Sequence, residues 1–312
     1  MVSRLLRRSR CCTGHIACPD QCLACGQPVS TYYLIGGGGR LGQAIASQYA
    51  NQEIISLQRS VYADWSGANA VDRIARYFSP HAADATVFVA SGLLDPRLAT
   101  DELVSVNYRL PRNVIDGAAR LGIKVVTFGT IMESLLDVGN AYVESKKRLR
   151  EYVEEALSAA WPVLHLQIHT LYGGGQPSPF MFLGQMLTAI RNNEPFRMTS
   201  GRQLREYHHF EDEARAVRLI AGMPEMVGVT NLSHGKPVSL RALAEAVFGA
   251  LEKNHLLRVG ALPEPSEENY GKTFAPTMML DTIEFRDAIQ GVVEYMCACC
   301  TSGAVAAGKI GS

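Results

Sequence analysis

A phenol and an ammonium stand one helical turn apart in Tyr142-Val-Glu-Ser-Lys146, a spacing that sets both side chains on one face of a helix. A free tyrosine titrates near pH 10, so exchanging a proton near neutrality requires a downward shift of about 3 units, roughly 4 kcal/mol. A neighbouring ammonium supplies charge of the sign that favours phenolate. Upstream, Lys124-Val-Val-Thr-Phe-Gly-Thr130 reads as a strand that ends on a hydroxyl, placed to hydrogen-bond a reacting oxygen. Thr130, Tyr142 and Lys146 are therefore the candidate catalytic residues, for proton transfer at an oxygen. Tyr-x-x-x-Lys also occurs in helices that do no chemistry, so its meaning depends on what precedes it.

What precedes it is a glycine run. Tyr32-Tyr-Leu-Ile-Gly36-Gly-Gly-Gly39-Arg40-Leu41-Gly42 reads as a short apolar strand, a glycine loop and a helix. Gly36-x-x-Gly39-x-x-Gly42 and Gly37-x-Gly39-x-x-Gly42 are both present. Either register removes side chains where the backbone must approach a pyrophosphate, with helix N–H groups behind it. A flexible glycine turn is the bland reading, but a strand before and an amphipathic helix after favour nucleotide binding. Gly36, Gly39, Arg40, Leu41 and Gly42 are the candidate cofactor contacts. The positive ring of a bound nicotinamide would also favour phenolate at Tyr142, and a hydride could then move with the proton.

The choice of cofactor is read at the end of the second strand, where an acid would bond the ribose 2′-hydroxyl of NAD. Here the run is Ser56-Leu-Gln58-Arg59-Ser60, without an acid. The guanidinium of Arg59 and the hydroxyl of Ser60 suit a 2′-phosphate, and Arg40 offers a second positive contact. This favours NADP(H), with NAD possible; the other reading makes Arg59 a solvated surface residue.

These groups need a scaffold, and the pattern supplies one. Strand-like segments at Tyr32–Ile35, Glu53–Leu57, Ala85–Ala90, Lys124–Thr127 and Val163–Ile168 alternate with helical ones at Arg40–Ala50, Val71–Phe78, Leu103–Leu121 and Tyr142–Leu157. Such alternation implies parallel strands joined by right-handed crossovers. The expected fold is α/β: a doubly wound parallel sheet (Rossmann) with a smaller C-terminal substrate-binding lobe. Residues 31–171 form the expected nucleotide-binding domain. Residues 172–296 form the lobe, with segments returning to the sheet, and 1–30 and 297–312 are read as disordered extensions.

The 312 residues are 47 % apolar and carry a formal net charge of zero, so no electrostatic footprint points to nucleic acid or an anionic membrane. No apolar run approaches the roughly 20 residues of a membrane helix. The cysteines are Cys11, Cys12, Cys18, Cys22 and Cys25 at the front and Cys297, Cys299 and Cys300 at the back. A disulfide-built secreted domain would scatter them through its body, so a reducing cytoplasm is expected. Cys22-Leu-Ala-Cys25 has the gap of a zinc knuckle, with Cys18 and His15 nearby, but no second paired cluster follows at ribbon spacing. No metal site is expected.

Taken together, residues 32–296 resemble an extended short-chain dehydrogenase/reductase of the sugar-nucleotide epimerase/dehydratase family. The resemblance is carried by the glycine loop, Val87-Phe-Val-Ala90-Ser91, Asn107 in Ser-Val-Asn-Tyr, the Thr130/Tyr142/Lys146 trio, Leu171-Tyr172-Gly173, and Gly201-Arg-Gln-Leu-Arg205-Glu-Tyr-His-His209-Phe-Glu-Asp212. It implies that Ala90, Asn107 and Lys146 help hold the cofactor, with Lys146 on the nicotinamide ribose. It also implies that Ser91, Thr170, Arg205 and His209 face a sugar-nucleotide substrate, with Arg205 as the diphosphate fork. The bland reading of Arg205 is an ion pair with Glu206, and of His208 and His209, partly buried lobe residues.

Gln167 and Thr170 stand where the family often has Arg and Asn. Family dehydratases carry Asp-Glu directly after this threonine; here Ile131 and Met132 follow and Glu133 comes one place later, which disfavours dehydration. The resemblance thus implies an NADPH-dependent 4-ketoreductase or, as the alternative, an NAD-dependent 4-epimerase. It also implies a homodimer paired through Leu103–Leu121 and Tyr142–Leu157. A non-catalytic nucleotide-sensing protein on this fold would commonly lack the Tyr/Lys pair.

Overall fold

Alternate residues of the central strands feed opposite apolar layers, as the pleat requires. Tyr33 and Ile35 enter one buried cluster and Leu34 the other; Val87 and Val89 enter the first and Phe88 the second. Both faces are therefore covered, which is why these strands read as unbroken apolar runs. The computed structural model describes residues 31–49, 54–81, 85–95, 97–136, 140–265 and 268–307, with side chains as far as residue 301. The expected extension 1–30 lies outside the described residues.

The main sheet is formed by β1 (Thr31–Ile35), β2 (Ile54–Ser56), β3 (Ala85–Val89), β4 (Lys124–Thr130), β5 (Val163–Ile168) and β10 (Gly228–Asn231), in the order β10-β5-β4-β3-β1-β2. Every pairing is parallel, for example Tyr33↔Val87 and Phe128↔Leu166. β1 lies between β2 and β3, so the direction of winding reverses there, and a crevice opens at the carboxyl ends of the strands. This is a doubly wound α/β fold.

Three of the helices on one face are α3 (Ala70–Phe78), α5 (Leu110–Ala118) and α7 (Ala141–Ser158). Ile74, Phe78, Val114, Ile115, Leu149 and Val153 pack from them on Tyr33, Val87 and Val125. The other face is covered by α1 (Arg40–Ala46) and α9 (Phe210–Ala221), through Ile45, Val217 and Ile220. Short α2 (Arg59–Tyr62), α4 (Thr100–Val104) and α6 (Met132–Leu135) follow or precede strand ends. A third apolar cluster makes the lobe, from α8 (Phe182–Asn192), α10 (Leu240–Ala250) and α11 (Ala288–Ala307), with Met186, Phe196, Phe248, Val292 and Met296 at its centre. The remaining strands are two- and three-residue pieces: β6 (Thr170–Tyr172) pairs β9 (Tyr207–His209), β7 (Phe196–Arg197) pairs β12 (Leu257–Arg258), and β8 (Leu204–Arg205) pairs β11 (Val238–Ser239).

Several boundaries differ from expectation for physical reasons. Of the two ends read for β4, Thr127 and Thr130, the strand takes the later, because Phe128 is still buried and still paired with Leu166. The helix read over Leu103–Leu121 contains a π turn at Ser105–Arg109. Pro111 follows it at the start of α5 and cannot donate to an i−4 carbonyl, which a widened turn accommodates. Residues 297–307, expected as part of a disordered tail, continue α11; Cys299 is buried one turn beyond Met296 and Val292, on the face they share. Among the described residues no helix is long and apolar enough to cross a membrane.

Candidate active site

The glycine loop leaves β1 at the switch point. Gly36 has φ +89°, and a Cβ there would lie 2.4 Å from the backbone nitrogen of Ser91. A Cβ on Gly42 would lie 2.3 Å from the carbonyl oxygen of Gly36. The turn is closed by Gly39 N–H donating to Gly36 O at 3.0 Å, and α1 opens at Arg40 with no side chain capping its first N–H groups. Glycine is thus required at Gly36 both by sterics and by backbone conformation. Gly42→Ala is expected to lower stability by about 1–3 kcal/mol and to weaken dinucleotide binding about tenfold or more, since the loop must shift to admit the methyl. A fluorescence titration with unchanged affinity would show that this loop does not hold the coenzyme.

The other proposed cofactor residues fall into distinct places. Arg59 and Ser60 begin α2 directly beyond β2, exposed, and the Ser56 hydroxyl lies beside Gly37. Arg40 instead donates to the Ser178 hydroxyl at 3.3 Å and sits 5.9 Å above the Phe210 ring, engaged with the lobe and with α9. Leu41 packs into the apolar layer behind the loop. Ala90 N–H donates to Ile35 O at 2.8 Å, so Ala90 and Ser91 line the glycine loop. The Ser91 backbone nitrogen lies where a Cβ on Gly36 would stand 2.4 Å away.

Asn107 is fully buried and its amide is spent within the protein: Oδ1 accepts from Leu93 N–H, and Nδ2 donates to Leu93 O and to the Ser145 hydroxyl. It joins the loop after β3 to α7, next to Lys146, and so positions that loop. Gly92 lies between them; a Cβ there would be 3.6 Å from Asn107 Oδ1 and 3.8 Å from Lys146 Nζ.

Thr130, Tyr142 and Lys146 converge at the carboxyl end of β4. Asn140 caps α7, its side chain accepting from Val143 N–H, and this fixes where Tyr142 emerges. The Tyr142 hydroxyl is hydrogen-bonded to Thr130. Lys146 is 6 % exposed and donates to Phe128 O at 2.7 Å. Burial and then the charge of Glu133 raise the phenol's pKa, against the lowering effect of the Thr130 hydrogen bond. Burial lowers the Lys146 pKa to about 8, while Glu133 pulls it upward. Of the two charges expected to favour phenolate, Lys146 and a nicotinamide ring, Lys146 does not by itself offset burial and Glu133: Tyr142 is held protonated, as a proton donor should be.

Beneath the trio lies Glu133, whose place in the sequence, one position beyond the family's dehydratase acid pair, did not point to a part in this site. Glu133 is 3 % exposed; Oε1 accepts from Thr130 N–H at 2.7 Å and Oε2 from the Gln167 amide at 3.1 Å. Oε2 also lies 3.3 Å from His165 Nε2, while His165 Nδ1 meets the Thr127 hydroxyl at 2.8 Å. Gly129 makes room, since a Cβ there would be 2.3 Å from both Glu133 Oε1 and His165 Nε2. Burial raises the Glu133 pKa, but the hydrogen bond and charge of His165, with Thr130 N–H and Gln167, outweigh it and leave the pKa lowered. Gln167 is thus part of this network. The signal was present: an acid three residues after the strand-end threonine can fold back onto that threonine's N–H.

The expected substrate contacts divide between two cavities. Thr170 and Arg205 line a narrow slot of about 10 Å³ with Ile131, Glu206, Lys272 and Phe274. Arg205 pairs with Glu268, not with Glu206, and donates to Leu204 O. His209 caps α9 and opens instead on a cavity of about 350 Å³ between the Gly173–Gly175 loop and α11, beside Tyr172, Arg286 and Tyr295.

Comparison with known proteins places this arrangement. Solved structures with the same fold include the dTDP-glucose 4,6-dehydratase of Bacillus anthracis str. Ames in complex with NAD, 15 % identical over 86 % of this chain and 95 % of that one, with TM-score 0.66. The UDP-N-acetylglucosamine 4-epimerase of Methanobrevibacter ruminantium M1 is 16 % identical over 87 % and 97 %, with TM-score 0.66. The dTDP-4-dehydrorhamnose reductase of Bacillus anthracis str. Ames in complex with NADP is 14 % identical over 86 % and 99 %, with TM-score 0.66. At these identities the likeness is one of fold. No curated protein matches the sequence. The profile of the NAD dependent epimerase/dehydratase family matches residues 32–232, well over half of the chain, and this chain belongs to that family.

Proposed function

We propose that the protein is an oxidoreductase that uses NADPH to reduce the keto group of a 4-keto(-6-deoxy) sugar nucleotide. The observation that carries this reading is the convergence of Thr130, Tyr142 and Lys146 on the carboxyl end of β4, beside the crevice where the glycine loop opens. Bound NADPH would supply the hydride. Tyr142, protonated and hydrogen-bonded to Thr130, gives its phenolic proton to the carbonyl oxygen as that oxygen gains charge. The Thr130 hydroxyl then steadies the oxygen or the phenolate left behind. Lys146, with two of its three N–H donors beyond the bond to Phe128 O, holds the ribose and stabilises negative charge on Tyr142.

Other observations favour reduction over the family's other reactions. Elimination of water needs an acid and base facing the sugar, whereas the Glu133 carboxylate is committed to Thr130 N–H, His165 and Gln167. Arg59 stands at the end of β2 where an NAD-binding acid would stand. Among the structural neighbours, the reductase is described in complex with NADP and the dehydratase with NAD. Arg59→Asp is expected to raise the KM for NADPH about 10–100-fold, the loss of one charge-assisted contact, with a much smaller change for NADH. Equal effects on the two coenzymes would leave Arg59 a surface residue.

The assignment is tested by incubating the protein with NADPH and a panel of 4-keto-6-deoxy sugar nucleotides while following nicotinamide absorbance. Consumption of NADPH with one of them is expected. Protein that retains stoichiometric, non-exchanging NAD and interconverts 4-epimers without net consumption would instead be a 4-epimerase.

A further inference from the structure

At the wall of the Thr170–Arg205 slot, Glu206, just before β9, meets His208 of β9 and His234 of the turn after β10, and the redox chemistry uses none of them. One carboxylate oxygen and one ring nitrogen from each histidine all lie within 4.8 Å of one another. Glu206 Oε2 is 3.3 Å from His208 Nε2 and 2.8 Å from His234 Nδ1. The surrounding bonds orient lone pairs inward. Glu213 Oε2 lies 2.7 Å from His208 Nδ1; in the neutral ring it would take that nitrogen's N–H and leave the Nε2 lone pair toward Glu206. Lys236 N–H lies 3.2 Å from His234 Nδ1, and the His234 backbone N–H donates to Glu206 Oε2 at 2.9 Å. Ser233 Oγ holds the other oxygen of Glu206 at 2.6 Å.

Glu206 Oε2 and His234 Nδ1, 2.8 Å apart, share either a proton or a cation. The charge tells the same story. Glu206 and Glu213 are buried together, and among the described residues Glu213 Oε1 and His169 Nε2 are buried side-chain atoms with no hydrogen-bond partner. The His169 ring is 5.1 Å from that of His208.

We propose that Glu206, His208 and His234 bind a zinc ion, with Glu213 and Ser233 orienting the ligands from behind. Two imidazoles and a carboxylate form a donor set suited to zinc. Bond lengths of about 2.0–2.2 Å place tetrahedral ligand atoms roughly 3.3–3.5 Å apart; the Glu206–His208 spacing of 3.3 Å fits, and the His234 side chain must shift to complete a triangle whose atoms now lie within 4.8 Å of one another. The ion would brace the strand that carries Arg205, because Glu206 O accepts from Thr170 N–H at 3.0 Å. The competing occupant is a proton. Without an ion, burial pulls the His208 pKa down, but the charge of Glu213 and the bonds to Glu206 and Glu213 raise it to about 9.

The test is to strip the full-length protein with a chelator and titrate zinc against a chromophoric competitor, then record zinc X-ray absorption on the loaded protein. The expected result is a site with an oxygen/nitrogen shell and imidazole scattering, at about 2.0–2.1 Å. Its affinity should fall about 100-fold or more in His234→Ala and in the isosteric Glu206→Gln, and about 10–100-fold in Glu213→Gln. Thermal melts should show zinc stabilising the wild type and not these variants. A sulfur-containing shell untouched by His234→Ala would assign the metal to Cys18, Cys22 and Cys25 and overturn the proposal. Absence of zinc binding, with His208 protonated at neutral pH by NMR, would overturn it as well.

Discussion

Tyr142→Phe should lower turnover about 10²–10⁴-fold, the usual worth of a positioned general acid, while NADPH affinity stays within about twofold, the mark of an interaction made only in the transition state. The ring remains, so packing at the start of α7 is kept; what goes is the hydroxyl bonded to Thr130. Burial and Glu133 both oppose phenolate, so the missing group is a proton that the wild type holds ready. Steady-state rates beside equilibrium coenzyme titrations separate the two effects. A variant with near wild-type turnover would remove Tyr142 from the chemistry.

The second large effect is on stability. Glu133→Ala should cost about 1–3 kcal/mol or more, the range for leaving buried hydrogen-bond donors without their acceptor, and Glu133→Gln markedly less. The carboxylate accepts from Thr130 N–H and Gln167 and faces His165, so its removal strands buried donors under the active site. The pH dependence follows from the lowered Glu133 pKa. A depressed carboxyl pKa stabilises the fold above the unfolded carboxylate range, and that contribution is lost as pH falls through the folded value. Urea unfolding at neutral and acidic pH should therefore show the wild-type advantage over Glu133→Gln shrinking on acidification. An advantage that grew in acid would contradict the network. Because Glu133 pulls the Lys146 pKa upward and raises that of Tyr142, Glu133→Gln should also move the alkaline limb of the rate profile.

The parts of this protein that were readable from sequence are those whose physics is local. Gly36 and Gly42 are demanded by atoms a few residues away or on the adjoining strand end. Tyr142 and Lys146 share a helix face by spacing alone, and the strands announce themselves because both faces of the sheet are buried. What was not readable depends on which way a chain segment turns. His208 and His209 are neighbours, but alternation along β9 sends His208 to the Glu206 cluster and His209 to the cavity under α11. Arg205 finds Glu268 from a distant loop, while Glu206, its neighbour in sequence, turns away to His234. The depth of Glu133 depends on the missing Cβ of Gly129, visible only once β4 and β5 are in register.

The central claim is that the Tyr142 hydroxyl meets the reactive ring of a bound nicotinamide coenzyme, and its most direct test is a crystal structure of the NADP complex. The account predicts the pyrophosphate on the Gly36–Gly42 loop and the phenolic oxygen within about 5 Å of the nicotinamide C4, near-attack spacing once a carbonyl lies between them. A ring bound more than about 10 Å from that oxygen, too far for proton and hydride to reach one carbonyl, would contradict it.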